Sequence, residues 1–176
     1  VIGESQKKGR GRLGRKWVSP PFVNLYLSVV LRPKIPPHQA SLITFMAAVA
    51  AAETIERHSG LIPSIKWPND LLLREKKVAG LLNEIHSETD RIHFIILGIG
   101  VNLNMDAKEF PKDIRTQATS LKAEKGQPVS RKAFAALLLE ELERWYEIFL
   151  KEGGTTVLKA WRDRAQIQGK EVRVTS

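Results

Sequence analysis

"KKVAGLLNEIHSETDRIHFIILGIGV", residues 76–101, decides the fold. Residues 77–87 and 91–101 are both rich in Val, Ile and Leu, and only the polar "ETD" separates them. Two apolar runs of strand length around so short a turn predict a β-hairpin. Val78, Leu81 and Leu82 are expected to be buried. Outward from the hairpin, 24–33 ("NLYLSVVLRP") reads as a strand stopped by Pro33, 64–67 as a short strand, and "VIGESQ" (1–6) as a strand end. An Ala-rich apolar run from about Gln39 to His58, with Gly60 as a C-terminal signal, reads as a buried helix. Ser130 is placed to cap a helix on which Phe134, Leu137, Leu138, Leu142, Trp145 and Phe149 share a face, with Glu140, Glu143, Arg144 and Glu147 opposite. A shorter helix follows over about 155–164, and a strand begins near Glu171. Residues 104–128 read as polar and irregular, the kind of long segment that often carries function. Strands and helices intermingle without a repeat, which fits one layered sheet-and-helix system.

The chain has 176 residues, 43% of them apolar, enough for one domain with a sizeable core. It has no cysteine, which excludes disulfides and thiolate zinc sites and fits a reducing, cytoplasmic compartment. Its four histidines show no metal spacing. The apolar run at 40–52 is too short to span a bilayer, so no membrane association is expected. The first residue is Val1 and the last stretch, "GKEVRVTS", reads like a strand just starting. Both ends are therefore expected to be cut.

Net charge is +9, and residues 7–16 alone supply six cations and three glycines without an acid. Charge gathered at one address points to a local anionic ligand more than to a general nucleic-acid face. Gly9 and Gly14 are separated as in a P-loop, but Arg15-Lys16-Trp17 follows, with no hydroxyl for magnesium and a proline pair where the helix should open. "GIGVNL" (98–103) has Leu103 in place of the third glycine of a dinucleotide fingerprint. What the loop does offer is chemistry for anions. Gly9, Gly11 and Gly14 permit close backbone approach and positive φ, while Arg10, Arg12 and Arg15 add forked donors. A merely solvated basic loop, or an RNA-binding tract of the RGG kind, fits the same residues.

Two further stretches carry candidate sites. In "KWPNDLLLREKKVAG" (66–80), Asn69 and Asp70 follow Trp67-Pro68 at a turn, where capping alone explains them as well as function does. Lys77 starts a buried strand beside Gly80, a plausible floor for a ligand with a charged end. In "LGIGVNLN" (97–104), Gly98 and Gly100 alternate on one strand face, which leaves room for a flat ligand or for a bulky side chain packed on top. Asn102 offers one acceptor and two donors, which suits a purine edge.

In series, "GRGRLGRKWVSP" (9–20), "NLYLSVVL" (24–31), "KWPNDLLL" (66–73), "KKVAGLLNE" (76–84), "GIGVNLN" (98–104) and "FPKDIRTQATSL" (110–121) resemble the biotin protein ligases, the biotin–[acetyl-CoA-carboxylase] ligase family, over almost the whole chain. The resemblance implies an α+β fold, a mixed β-sheet flanked by helices of the class II aminoacyl-tRNA synthetase and biotin ligase type. It implies a catalytic domain over 1–168 whose N-terminal part is missing, and the start of a truncated SH3-like β-barrel domain at 169–176. The family's Ser-Thr pair for biotin, and any helix-turn-helix, would precede Val1, so the chain gives no evidence of nucleic-acid binding. The implied chemistry joins biotin to ATP, with Mg2+, as biotinyl-5'-AMP. Biotin then passes to a lysine of a biotin carboxyl carrier protein, with no tightly bound organic cofactor.

By the same resemblance Arg12 and Lys77 are the catalytic cations near the carboxylate and α-phosphate. Gln6, Gly9 and Arg10 lie around the biotin ureido ring, with Gly11 in the same loop. Trp17 packs near the closed loop and Gly80 beside biotin. Asn69 and Asp70 form a polar pair on the substrate and Mg2+ side, and Asn102 a contact to the adenylate; Gly98 and Gly100, read above from strand alternation, complete the candidate set. The 104–121 segment corresponds to a loop ordering over adenine. A homodimer is in keeping with the family. Lipoate or octanoate transfer on the same fold, a basic nucleic-acid-binding module and an inactive interaction domain are the alternatives.

Overall fold

Alternation along residues 92–101 sets which side of the sheet is dry. Ile95, Leu97, Ile99 and Val101 are at most 2% exposed, whereas Ile96, Gly98 and Gly100 point to the other face. The computed structural model describes residues 1–165. Its strands are β1 (Ile2–Gly3), β2 (Leu25–Leu31), β3 (Ser64–Lys66), β4 (Asp70–Leu73), β5 (Lys76–Ser87) and β6 (Ile92–Val101), in one sheet of order β1-β2-β6-β5-β4-β3. The predicted hairpin is the β5–β6 pair at its centre. All five ladders are antiparallel, and the sheet's parallel character is confined to an isolated bridge between Lys77 and Ala118.

The helices α1 (Leu42–Ser59), α3 (Arg131–Glu152) and α4 (Gly154–Ala165) pack together on the dry face, and α2 (Leu121–Lys125) adds Leu121 to the core. Residues 47–52 of α1, five alanines and a valine, are all fully buried; small side chains let the neighbouring backbones approach closely. Gly60 ends α1 in the left-handed conformation (φ 76°), where a Cβ would be strained. Ser130 caps α3 as expected, its hydroxyl accepting from the Ala133 amide. Phe134, Leu138, Leu142, Trp145 and Phe149 form its buried stripe.

Four expectations need correction. Leu82 is not buried with Leu81 but faces the other side of the sheet, as strand alternation requires. Residues 70–73 are a strand, missed because Pro68-Asn69-Asp70 reads as a turn. The 104–128 segment is not irregular throughout: it contains a 3-10 turn at Ala107–Glu109 and α2, and buries Met105, Phe110 and Leu121. The helix expected from Gln39 begins instead as a 3-10 turn, Pro37–Gln39, with α1 proper following. The strand expected near Glu171, and the domain boundary at 169, lie outside the described residues.

One charged residue interrupts the apolar stripe of α3. Glu141 is 2% exposed and takes hydrogen bonds from Arg57 of α1 and, at 2.8 Å, from Arg144 Nε. Burial pushes its carboxyl up, but the hydrogen bonds and charges of Arg144 and Arg57 outweigh that, and its pKa settles below the ordinary 4.5. A depressed carboxylate stabilises the fold above its unfolded-state pKa, and that contribution is lost as pH falls through the lower folded value. Glu141→Gln is therefore expected to cost about 2 kcal/mol at pH 7, the scale of a broken charged hydrogen bond with half-exposed partners. The deficit should shrink as denaturant melts are moved below pH 4.5. A pH-independent deficit would contradict the pairing.

Candidate active site

The wet face of the sheet, the basic loop and the 110–118 segment enclose a cleft of about 690 Å³, within the roughly 300–1,000 Å³ range of small-molecule sites. Its floor follows from register. Tyr26, Gly100, Gly80 and Asp70 lie opposite one another across β2, β6, β5 and β4, a row with two glycines at its centre. Gly98 continues the floor between Ser28 and Leu82.

Lys77 reaches this floor because β5 is bulged. Leu71 pairs with Ala79 but Leu72 pairs with Lys77, so Val78 is an extra residue. Val78 and Ala79 are both fully buried, and parity is thereby reversed: Lys77 projects to the same side as Gly80. A Cβ on Gly80 would lie 3.2 Å from Lys77 Nζ and 3.1 Å from the Trp17 ring, so the lysine lies along the space the glycine leaves. Lys77 Nζ sits 2.6 Å from Asp70 Oδ1 and 5.4 Å from the Trp17 centroid. The Asp70 contact lacks hydrogen-bond alignment and is an ion pair only. The Lys77 backbone is locked separately, its amide donating to Gln117 O (2.7 Å) and its carbonyl accepting from Thr119 N (2.9 Å).

The loop at 9–17 is a small closed hairpin. Arg10 bridges Lys16, Gly11 N donates to Arg15 O at 2.7 Å and Trp17 N to Gly9 O at 3.0 Å. The Gly11 amide is thus spent inside the loop rather than aimed at a ligand, and Gly11 is extended (φ −115°), contrary to the sequence reading. Positive φ falls on Leu13 (55°) and Gly14 (72°). Gly9 has a packing reason: a Cβ there would meet Trp17 O at 2.4 Å. Gln6 Oε1 accepts from Ser19 Oγ (2.9 Å), which ties the base of the loop. Arg12 lies in the 3-10 turn Arg12–Gly14 and lines the cleft from the loop, as Lys77 does from the sheet.

Trp17 covers Gly100. A Cβ at Gly100 would approach the indole to 2.5 Å, so of the two readings of this floor, a bulky side chain packed on top describes Gly100. Gly98 remains open, since a Cβ there would meet nothing nearer than Leu82 O at 3.5 Å. Asn69 is a turn residue whose amide donates to Leu81 O (2.7 Å). Asn102 lines the cleft, yet it is 5% exposed and its amide donates to Thr119 O (3.0 Å), holding the 110–121 segment. Tyr26 escaped the sequence reading. Burial pushes its phenol up to about 12, so it stays protonated, donating to Pro20 O at 2.8 Å.

Seven cations and three carboxylates line the cleft, and two of those carboxylates are already paired, Asp70 with Lys77 and Glu84 with Arg10. Among the described residues no cluster of three or more His, Asp or Glu could hold a metal, and no helix is long and apolar enough to cross a membrane. A cationic cleft over a glycine floor, on an antiparallel sheet backed by helices, is chemically suited to an anionic or acid-bearing small molecule.

Residues 1–102 match the biotin/lipoate A/B protein ligase family, and the chain belongs to it. It is 35% identical over 173 residues to the bifunctional ligase/repressor BirA of Bacillus subtilis, covering 98% of this chain and 53% of that one. It is 34% identical over 176 residues to the biotin–[acetyl-CoA-carboxylase] ligase of Paracoccus denitrificans, covering 98% of this chain and 72% of that protein. The biotin protein ligase of Aquifex aeolicus, solved with biotin and ATP, superposes with a TM-score of 0.83 at 29% identity, over 96% of this chain and 69% of that one. The chain thus spans about half the length of the BirA proteins it matches.

Proposed function

We propose that this chain is the catalytic part of a biotin protein ligase, which joins biotin to AMP at the expense of ATP and hands the biotinyl group to a lysine of a biotin carboxyl carrier protein. The observation that carries the reading is the bulge at Val78, which turns Lys77 onto a glycine floor beneath a cation-rich loop. In the first half-reaction a biotin carboxylate oxygen attacks the α-phosphorus and pyrophosphate leaves. Lys77 and Arg12 are the groups suited to the negative charge that gathers on the α-phosphoryl oxygens, since such transfers need positioned cations more than covalent help. In the second, the carrier's amine attacks the acyl carbon and AMP leaves. Between the two, the loop's role is to keep water from the mixed anhydride.

Mg2+ would travel on the triphosphate, as this ion usually does, with Asp70 the cleft carboxylate suited to add a ligand. Asp70 is paired with Lys77, so that role would loosen the pair. Biotin and ATP are substrates, and the cytoplasm is the compartment in which the carrier would be met. The expected result is pyrophosphate release that depends on biotin and is absent with lipoate or octanoate; release with lipoate alone would move the reading to the other branch of the family. Arg12→Ala is expected to free the adenylate roughly ten- to a hundredfold faster, the scale of a charged hydrogen bond. The check is labelling of lysines on a bystander protein, which should rise.

A further inference from the structure

Glu84 closes the motif at 76–84 with no role assigned to it, yet it makes the side-chain ion pair that binds the basic loop to the sheet. Arg10 Nη1 lies 2.9 Å from Glu84 Oε1, and Arg10 Nη2 donates to Glu84 Oε2 at 3.2 Å, a two-pronged contact across 74 residues of chain. Among the described residues, Arg10 alone of the six cations at 7–16 has a carboxylate partner. Arg10 is therefore committed to the protein, and Lys7, Lys8, Arg12, Arg15 and Lys16 have no acid paired with them among the described residues.

The placement of Glu84 gives the contact a purpose. It sits on the cleft face of β5, four residues beyond Gly80, which is about 13 Å at the rise of a strand. The loop is thus fastened twice along one strand, by Trp17 over Gly80 and Gly100 and by Arg10 on Glu84. Leu82 and the uncovered Gly98 lie on the floor between the two fastenings, where space remains for a ligand.

We infer that Glu84 is a positioning residue that clamps the basic loop across the cleft through Arg10 and so shapes the ligand space over Leu82 and Gly98. What the clamp holds in place rests on the ligase reading; the clamp itself does not, and is tested without ligand. Arg10 is 72% and Glu84 35% exposed, so solvent weakens the pair and its removal should open the loop roughly three- to tenfold more often.

The experiment is brief trypsin digestion of the ligand-free chain, with cleavage after Arg12 and Arg15 followed by mass spectrometry, because slow cleavage follows the open population. Glu84→Gln and Arg10→Gln should each accelerate cleavage there three- to tenfold, with other sites and the melting temperature unchanged. The double variant should be no faster than either single one. Wild-type cleavage rates in Glu84→Gln, or additive acceleration in the double variant, would overturn the clamp. In turnover, Glu84→Gln should raise the KM for biotin with kcat kept; a fall in kcat at unchanged KM would overturn the positioning role. If the wild-type chain neither makes nor retains biotinyl-5'-AMP, the ligase reading fails while the digestion still decides the clamp.

Discussion

Lys77→Ala is expected to lower biotin-dependent adenylate formation about a hundred- to a thousandfold, the usual loss when one preorganised charge-stabilising donor is removed. The fold should survive. The Lys77 backbone is held by Gln117 and Thr119, and its side chain is 34% exposed, so truncation opens no core cavity. It does leave Asp70 without its cation, 2.6 Å away in the native pair, and an unpaired carboxylate beside the α-phosphate would add repulsion to the lost attraction. At saturating Mg2+, where the triphosphate carries the ion without help from Asp70, Lys77→Ala/Asp70→Asn should therefore recover part of the rate, since the second change removes the stranded charge. Stopped-flow pyrophosphate release with each variant, beside a thermal melt, checks this. An unchanged rate in Lys77→Ala would remove Lys77 from the chemistry.

Gly100→Ala is expected to drive Trp17 off the floor and weaken ligand binding roughly tenfold to a hundredfold, as overpacking a filled site does. The three nearest atoms to the added methyl are all indole atoms of Trp17, at 2.5 to 2.7 Å, far inside contact distance, so the ring must move. Gly98→Ala is the control two residues away. Its methyl meets only Leu82, at 3.5 and 3.9 Å, which is ordinary contact. It should leave Trp17 in place and impair binding only through the lost floor space. Fluorescence, with Trp17→Phe to identify that ring among the four tryptophans, separates the two. Equal Trp17 signals in both variants would mean that the indole does not rest on Gly100.

The contrast between these positions marks where sequence reasoning reached and where it stopped. The β5–β6 hairpin was legible because period-two burial and a three-residue polar gap are local signals. So were the capped stripe of α3 and the glycine end of α1. The bulge at Val78 was not, because "KVAG" carries no mark of which residue is unpaired; only the register with β4 fixes it. Lys77 was singled out from its neighbours and from the family resemblance, without the reason its side chain reaches the cleft. Glu141 went unread between Glu140 and Leu142, since its place in the buried stripe depends on Arg57, 84 residues away. Glu84 hid for the same reason, its partner lying on a loop 74 residues off. Local pattern predicts elements, whereas pairing between distant charges is settled by packing.

The most direct test of the ligase reading is native mass spectrometry of the chain after incubation with biotin, ATP and Mg2+, with lipoate in a parallel sample. The predicted result is folded protein carrying the mass of biotinyl-5'-AMP, and no adduct from lipoate. Folded protein that retains no adduct, even when biotinyl-5'-AMP is supplied ready-made, would contradict it.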